Sequence, residues 1–397
     1  GCNQMPPIGV PYPMGRMNYV PIPIEKMVLF RTTTEKNNSE GRALLRSMYE
    51  CFSEDMELLT SSGWKIVGEI TTDDYVATLN PSNGNLEYQK PDKTQEYEYN
   101  GQMIHAHSRY VDQLVTPNHR MWVRRATSDQ FEFIDADKCI PTMSFSTTAK
   151  WTVEDMNTVI VGEKEIDVDT WFEFLGYWLS EGCAYRDRRN YNCNVCQNEG
   201  EIADAIRLVI KKLPWSCYER TNQRGMVSWT FTNKELWKHL SPLGKSIERK
   251  MPRYVMDASA RQLNILLDAY WLGDGGLAGN LNRWEGTKLI FTSSQDMADD
   301  LMEVIFKAGH RPSLRFQKAG KDSFKNSRGV WVITIGKDFS QIRAHWNMVS
   351  YNGMVRCVST QNGIVYTRRN GKVSWSGNSW FYAKSLTEIE AISAERM

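Results

Sequence analysis

Reactive residue types stand at two points far apart in the chain, Cys51 and the pair formed by Asn378 and Ser379. A free cysteine thiol has a pKa of ~8.5 and is partly ionised at neutral pH, so Cys51 can attack the carbonyl of Glu50 to form a thioester. Ser379 can take over the acyl group as an ester. The Asn378 side-chain amide can then attack its own backbone carbonyl and cut the chain as a succinimide. Together these steps would release residues 51–378 and join Glu50 to Ser379.

The segments that flank these two points predict one interrupted helix. Apolar residues in 41–50 follow a helical period, and the pattern stops at Cys51 without a cap signal. In segment 379–397 the apolar residues also follow a helical period, and the pattern is already under way at the first residues of the segment. When residue 50 is joined to residue 379, the apolar positions run in one unbroken phase. Two separate short helices whose phases agree by chance are the alternative.

Three separated segments, 51–70, 114–125 and 355–378, resemble the blocks of inteins, in the intein order. The middle segment carries a TxxH signature at Thr116 and His119. We call the Glu50–Cys51 bond the first seam and the Asn378–Ser379 bond the second seam. By this resemblance, His119 protonates the departing amide nitrogen of Cys51, and Thr116 polarises and orients the scissile bond at the first seam. General acid catalysis of this kind contributes roughly 10²- to 10⁴-fold in rate. Each signature alone has an ordinary structural explanation, so the prediction depends on their joint occurrence at the helix break.

The second seam departs from the intein pattern. Many inteins have His before the terminal Asn, where it assists cyclisation, and this chain has Gly377. We therefore expect another group to assist Asn378, with Arg368, Arg369 and Trp375 as the candidates.

Eight irregularly spaced cysteines do not predict a disulfide framework. Cys193 and Cys196 have a CxxC spacing without a second pair, which favours two ordinary thiols over structural zinc. Cys357 stands where many inteins have Asp. Two interpretations of it stay open: a position near the splice seam, or a partly buried thiol on a strand.

Segments 174–184 and 267–278 form an internal repeat that aligns without gaps. Small residues recur at i and i+4 in each copy, so two such helices can pack with their backbones close. An acid follows, Glu181 in the first copy and Asp274 in the second, and a glycine then ends each helix. Close packing would bring the two carboxylates together, which favours a hard divalent cation such as Mg²⁺.

This repeat resembles the two LAGLIDADG motifs of a single-chain homing endonuclease. The resemblance implies site-specific cleavage of double-stranded DNA, with Glu181 and Asp274 as catalytic residues and metal ligands. A divalent cation can activate water and stabilise the leaving oxygen in phosphodiester hydrolysis. The alternative is a pair of core helices that end in solvated acids.

The segments around the repeat predict a DNA-binding architecture. Residues 226–232 and 329–335 alternate as strands do, and residues 201–213 and 296–309 predict amphipathic helices. Each half thus runs helix, strands, helix, with clusters of basic residues that suit DNA grooves and phosphates. For any one cluster the alternative is a solvated face. The predicted DNA contacts are Gln197, Arg220, Arg224 and Lys318.

The predicted fold class is mixed, with an all-β HINT splicing domain that contains an inserted α+β LAGLIDADG endonuclease with a pseudo-twofold repeat. The intein resemblance assigns 51–150 and 338–378 to the HINT domain and 151–337 to the endonuclease. Residues 1–50 and 379–397 would then belong to the host protein. They resemble a segment of tailed-phage portal proteins, which form a ring.

Bulk properties exclude little. The formal net charge is +1, and no apolar run approaches the roughly 20 residues that span a bilayer. No signal peptide is recognisable. We expect a cytoplasmic location in a phage-infected or prophage-bearing bacterium, with the spliced host protein in the virion. The competing hypotheses are a structural portal segment with an inert insertion, and a splicing element with a dead endonuclease.

Overall fold

The computed structural model describes residues 50–278, 287–319, 329–337 and 341–378, and the backbone of three short strands ahead of them. Ser379 and the predicted joined helix lie outside the described residues. Within these ranges, no helix combines the length and apolar character needed to cross a membrane. The three leading strands form an antiparallel sheet: β1 (Pro11–Tyr12), β2 (Gly15–Tyr19) and β3 (Leu29–Thr32).

Residues 50–150 fold as strands joined by turns and two short 3₁₀ segments. Together with residues 341–378 we call them the β unit. Apolar side chains of β5, β7 and β10 are buried, as expected for short core strands. The strands of this first part are β4 (Phe52–Ser53), β5 (Glu57–Thr60), β6 (Gly63–Ile66), β7 (Val76–Leu79), β8 (Leu86–Gln89), β9 (Lys93–His107), β10 (Asp112–Val115), β11 (Arg120–Arg124), β12 (Phe131–Asp135) and β13 (Ser144–Phe145).

Residues 151–337, here the insert, follow the order of elements expected from the repeat. A hairpin leads into two halves that each contain a long helix, two strands, a second helix and two more strands. The hairpin and first half are β14 (Thr158–Val161), β15 (Lys164–Asp167), α1 (Val168–Glu181), β16 (Gly182–Asp187), β17 (Asn190–Asn198), α2 (Glu201–Ile210), β18 (Cys217–Thr221), β19 (Met226–Thr232) and α3 (Lys234–Leu240). The second half is α4 (Ala260–Asp274), β20 (Gly275–Leu277), β21 (Lys288–Thr292), α5 (Gln295–Lys307), β22 (Arg311–Gln317) and β23 (Val330–Gly336).

Helix starts in the insert are set by side-chain caps. Asp167, Ser259 and Ser294 each accept a hydrogen bond from the backbone N–H three residues on, at the starts of α1, α4 and α5. These caps fix where each helix begins, and so where the acids at the ends of α1 and α4 fall.

The chain then returns to the β unit through β24 (Ile342–Arg343), β25 (His345–Ser359), β26 (Ile364–Arg369) and β27 (Lys372–Gly377). β25 pairs with β9 along all of its length, from His345 opposite His107 to Ser359 opposite Lys93. Strands β10, β4, β25 and β9 close into a barrel. This closure brings the start of the β unit, beside β4, next to its last strands.

The insert and the β unit share a sheet and a core, which the sequence analysis did not predict. A single bridge between Ser313 of β22 and Lys372 of β27 makes the insert's second sheet continuous with strands of the β unit. Phe306 of α5 stacks on Tyr366 of β26 with ring centroids 3.9 Å apart, and Trp375 of β27 lies 4.7 Å from Tyr366. Helix α5 therefore packs directly on the hairpin that leads to Asn378.

Candidate functional site

The first seam is held by strand register. Val115 of β10 pairs with Phe52 of β4, and the same register sets Thr116 opposite Cys51. The Cys51 backbone N–H donates to Thr116 Oγ1 at 3.0 Å, and the Thr116 N–H donates to the Cys51 carbonyl at 3.0 Å. Both residues are fully buried. Thr116 thus holds the nitrogen of the Glu50–Cys51 peptide bond.

The second seam lies at the end of β27. Asn378 is 1% exposed, and its backbone N–H donates to the Gly363 carbonyl at 3.0 Å. Its side-chain Nδ2 donates to Thr360 Oγ1 at 2.8 Å. The amide that would act as nucleophile is therefore held by a neighbouring hydroxyl. Thr360 was not among the predicted site residues.

Arg120 links the two seams. Its Nε donates to Glu50 Oε2 at 3.2 Å, and its Nη2 donates to the backbone carbonyl of Asn378 at 2.5 Å. The guanidinium also lies 4.8 Å from the centre of the Phe133 ring. A charged donor on the Asn378 carbonyl polarises the bond that cyclisation must break. The sequence analysis missed Arg120, although it follows His119 directly.

The position of Arg120 also explains the residue before Asn378. A Cβ atom at Gly377 would lie 2.0 Å from the Arg120 carbonyl oxygen. No side chain fits there unless β11 moves, so a histidine before Asn378 is sterically excluded. Any group that assists Asn378 would therefore have to come from elsewhere, and Arg120 contacts the Asn378 carbonyl.

The three groups predicted to assist Asn378 lie elsewhere, so that prediction is wrong. Arg368 and Arg369 each form ion pairs with two carboxylates near the turn of the β26–β27 hairpin. Asn378 follows the open end of the same hairpin. Trp375 donates its indole N–H to the backbone carbonyl of Thr148. Neighbours in sequence are separated here because a hairpin places its turn and its open end far apart.

His119 is buried and uncharged at neutral pH. Its Nε2 lies 3.0 Å from Ser376 Oγ, and its ring packs on Phe52 with centroids 4.5 Å apart. Burial lowers the pKa of His119 to about 3, which backbone groups of Glu50 and Gly377 oppose. Its Nδ1 makes no hydrogen bond among the described residues. A neutral imidazole of this kind can accept a proton before it donates one, whereas the sequence analysis expected a donor.

Cys357 lies beside the first seam and forms a disulfide with Cys51, with Cα atoms 4.7 Å apart. Of the two interpretations left open, the position near the seam is the correct one. The other described cysteines are free thiols. Cys193 is buried, and Cys196 Sγ accepts a hydrogen bond from Asn194 Nδ2. Both thiols are free residues of strand β17.

In the insert, α1 and α4 pack with their backbones close together. A Cβ at Gly176 would lie 2.6 Å from the Leu266 carbonyl oxygen, and one at Gly273 would lie 2.1 Å from Ser180 Oγ. Only small residues permit this approach, as the i and i+4 pattern predicts. The structure thereby brings the ends of the two helices together, with Glu181 and Asp274 as neighbouring acids.

The two acids repel each other in a partly dry environment. Burial and, to a smaller extent, the charge of Glu181 raise the pKa of Asp274 to about 7, against the opposing charge of Arg249. Burial also raises the pKa of Glu181, against a hydrogen bond from Gln197. Gln197, predicted as a DNA contact, thus touches the acid pair. Arg249 is itself buried, lies over the Trp178 ring and donates to the Gly182 carbonyl.

The acid pair fits a hard divalent cation. Its donors are carboxylate oxygens. Burial raises the pKa of both acids and the charge of Glu181 adds to the shift of Asp274, and a bound cation would offset both effects. In the part of the chain that the structure describes, no cluster of three or more His, Cys, Asp or Glu side chains offers a complete protein cage. Two carboxylates, with water and phosphate oxygens, suit Mg²⁺ better than such a cage does.

A polar sheet face in the insert suits DNA. Asn192 and Asn194 of β17 bind Thr232, Ser228 and Thr230 of β19, and these side chains alternate with buried apolar ones. Hydroxyl and amide groups on strands can contact base edges in the major groove. The sequence analysis did not single them out, because period-2 alternation alone does not say what covers the polar face.

The basic residues predicted as DNA contacts are exposed. Arg220 pairs with Ser228 in the β18–β19 register and so belongs to the polar sheet face. Arg224 lies in the turn between those two strands, and Lys318 directly follows β22. The structure leaves all three side chains open to a partner and does not by itself assign them one.

No protein-family profile matches the sequence. The C-terminal section of the β subunit of DNA-directed RNA polymerase from Stigeoclonium helveticum is 27% identical over 401 residues, covering 85% of this chain and 37% of that protein. The proteolytic subunit of the ATP-dependent Clp protease from Chlamydomonas moewusii is 24% identical over 406 residues, covering 92% of this chain and 39% of that protein. The chain therefore spans less than two fifths of either relative.

Solved structures similar to parts of the chain include a homing endonuclease and an intein. The endonuclease I-DmoI with DNA and calcium is 12% identical, with a TM-score of 0.30, covering 43% of this chain and 83% of that one. The AceL NrdHF class 3 split intein is 18% identical, with a TM-score of 0.23, covering 47% of this chain and 99% of that one. At scores this low, site geometry rather than similarity has to carry a function.

Proposed function

We propose that the chain is a precursor that removes residues 51–378 by autocatalytic protein splicing and joins Glu50 to Ser379. The observation that carries this proposal is the Arg120 guanidinium, which contacts Glu50 at the first seam and the Asn378 carbonyl at the second. Splicing needs the two seams within reach of each other, because an acyl group must pass between them.

The first step uses the reduced Cys51 thiol. Neutral His119 accepts the thiol proton, the sulfur attacks the Glu50 carbonyl carbon, and the bond from that carbon to the Cys51 nitrogen breaks. The proton then moves from His119 to the leaving nitrogen, whose N–H is held by Thr116. Burial suits His119 to this shuttle because a pKa of about 3 keeps the ring neutral at the start.

The later steps join the outer pieces. The Ser379 hydroxyl attacks the thioester and releases the Cys51 thiol, in a role that rests on the sequence because Ser379 lies outside the described residues. Asn378 Nδ2 then attacks its own carbonyl carbon, and the peptide bond to Ser379 breaks. Arg120 stabilises the charge that develops on that carbonyl oxygen. The freed Ser379 amine finally attacks the ester and forms an ordinary peptide bond.

We also propose that the insert is a site-specific endonuclease that hydrolyses both strands of DNA. Glu181 and Asp274 would hold a divalent cation such as Mg²⁺, which when bound supplies Lewis-acid stabilisation and water activation. Gln197 orients Glu181 by its hydrogen bond. The polar face of β17 and β19, with Arg220, would position the duplex.

The two curated relatives support a mobile insertion. Their names describe unrelated enzymes, yet each aligns with most of this chain and with less than two fifths of itself. An element carried by different host proteins would produce this pattern. Neither relative is named as a portal protein, so the phage host, its ring and the cytoplasmic location remain predictions from the sequence.

The proposal is tested by expressing the chain under reducing conditions and following its mass. We expect an excised product that begins at Cys51 and ends at Asn378, and a short product in which Glu50 is joined to Ser379. The double variant Cys51→Ala with Asn378→Ala should stay intact. Persistent full-length wild-type protein, with a folded circular dichroism spectrum, would favour the inert insertion instead.

A further inference from the structure

The first seam contains a second thiol group that the splicing steps do not use. Val355 pairs with Ser53 and Arg356 with Phe52, and one more step of the same antiparallel register sets Cys357 opposite Cys51. The Cα atoms lie 4.7 Å apart, within the roughly 4.4–6.8 Å that disulfides span. The pairing therefore follows from the register of β4 and β25, which the barrel fixes.

The pair is set apart from the other cysteines. Cys51 is 0% and Cys357 is 2% exposed, and they pack against Met103, Leu114 and Val355. Every other cysteine in the described ranges is a free thiol. An oxidant that forms one bond in this region would therefore join the splicing nucleophile to Cys357.

We propose that Cys51 and Cys357 form a reversible oxidation site that locks the first splice seam, an inference that rests on the proposed splicing function. In the oxidised state the Cys51 sulfur is bonded to the Cys357 sulfur, so no thiolate exists to attack the Glu50 carbonyl. Reduction restores the nucleophile. The cellular reducing poise would then decide whether the precursor is spliced.

Thiol–disulfide exchange with small molecules can both form and open the bond between Cys51 and Cys357. Two cysteine thiols and one molecule of glutathione disulfide give the protein disulfide and two molecules of glutathione. A dithiol reverses the reaction and becomes a cyclic disulfide itself. Both reactions pass through a mixed disulfide, in which a thiolate attacks a sulfur atom. Burial of the pair predicts slow exchange, because an attacking thiolate has to reach a sulfur beneath the surface.

The lock acts on one seam only. The hydrogen bonds that hold Asn378 come from Thr360, Gly363 and Arg120, and none involves either cysteine. Oxidation should therefore suppress thioester formation at Glu50 without disturbing the groups that surround Asn378. The experiment can accordingly be run with the second seam blocked.

The test uses the full-length Asn378→Ala precursor, oxidised with glutathione disulfide and divided in two. One half is reduced with a phosphine, which opens disulfides without adding a thiol nucleophile. Both halves then receive hydroxylamine, which cleaves thioesters, and scission after Glu50 is followed by mass spectrometry. We expect scission about tenfold or more faster in the reduced half. Peptide mapping without reductant should find the Cys51 and Cys357 peptides linked only in the oxidised half.

Two matched variants isolate the pair. In Cys357→Ser the two halves should cleave at equal rates, and Cys357→Asp repeats the test if the serine variant folds poorly. In Cys139→Ser, which changes another buried cysteine, the redox difference should persist.

Equal rates in both halves of the parent precursor, despite a mapped link, would overturn the lock, and so would failure of the link to form. Lack of scission in every reduced sample, while the link forms and opens, would remove the proposed splicing and the lock with it.

Discussion

The proposed splice seams and the proposed nuclease site differ in how they would meet their substrates. The side chains at the seams are largely buried and, apart from the Arg120–Glu50 ion pair, uncharged, with Cys51, Thr116 and His119 fully buried and Asn378 1% exposed. Glu181 and Asp274 are partly exposed and carry raised pKa values. In the proposed splicing reaction the reacting bond lies within the chain and needs no entrance, so its site can close completely. In the proposed nuclease, DNA and a cation would arrive from outside, so that site has to stay open and charged.

The two sites are also positioned by different means. Strand register sets Thr116 and Cys357 opposite Cys51, so a one-residue slip would separate the groups. At the carboxylate pair, small residues let two helices approach, and the helix ends then carry the acids. Phe306 of the insert stacks on Tyr366 of the β unit, so the two parts share a core, but neither residue belongs to either candidate site.

The largest expected effect separates the two chemistries. Asp274→Asn replaces one carboxylate of the acid pair with a neutral amide. We expect the rate of DNA cleavage to fall by about 10³-fold. Splicing should continue at its normal rate. The measurement is cleavage of the host gene that lacks the insertion, with Mg²⁺, beside a gel of the splicing products.

The reciprocal variant is its control. Asn378→Ala should stop cleavage at the second seam and leave DNA cleavage unchanged. If either variant abolished both activities while the protein stayed folded, the two sites would not be independent and the comparison would fail.

Residue chemistry explains why much of the site was predictable. Thioester formation and cyclisation require particular residue types, so Cys51 and Asn378 stand out in the sequence, as do the acids of an ungapped repeat. Arg120 was missed because an arginine after a TxxH signature has many ordinary explanations. Its role depends on Glu50 and Asn378 lying close in space, which a sequence cannot give.

The wrong candidates for Asn378 have a geometric cause. Arg369 lies at the turn of the β26–β27 hairpin, and Asn378 follows the open end, about six residues or roughly 20 Å along the strand. Proximity in sequence is misleading on a hairpin. The contact of Phe306 with Tyr366 was equally out of reach, because tertiary pairing between distant segments leaves no periodic signal.

The next largest effect sharpens the description of the seams. Arg120→Ala should slow cleavage at the second seam by about 10- to 100-fold, because the Asn378 carbonyl loses its charged donor. The measurement is made in a Cys51→Ala background, where only Asn378 cyclisation can cut the chain. Arg120→Lys should restore part of the rate, since it keeps the charge without the planar fork.

Glu50→Gln is the matched control for that variant. It removes the charge of the other partner of Arg120 and should change the second-seam rate far less than Arg120→Ala does. An equal loss in the two variants would mean that Arg120 acts through Glu50 rather than on the carbonyl.

A smaller effect tests how the open site meets DNA. Arg220→Ala should weaken binding of the host-gene duplex by about 5- to 10-fold and lower the slope of log affinity against log salt by about 1. Binding is measured by fluorescence anisotropy in the cleavage-deficient Asp274→Asn background. Lys238→Ala removes an exposed cation from helix α3 instead and should leave the slope unchanged. Equal slopes in all the proteins would remove Arg220 from the interface.

The smallest expected effect tests the charge of the open site through its pH dependence. The folded-state pKa of Asp274 is raised to about 7 from an ordinary 3.8, so the folded state holds a proton that the unfolded state loses. The stability from this group is fully present below about pH 4 and is lost as pH rises through about 7. Mg²⁺ binds the deprotonated pair, so it should raise the melting temperature by roughly 2–4 °C at pH 8 and by less at pH 6.

The control for that measurement uses another acid whose burial raises its pKa to about 7. Asp300 accepts a hydrogen bond from the Met251 N–H and lies 3.6 Å from Arg253, in contacts that do not involve the acid pair. Asp274→Asn should abolish the Mg²⁺ response at pH 8, whereas Asp300→Asn should retain it on a shifted baseline. A response that survives in Asp274→Asn would mean that Mg²⁺ binds elsewhere. The two sites would then still differ in burial, but the acid pair would no longer be distinguished by binding a cation.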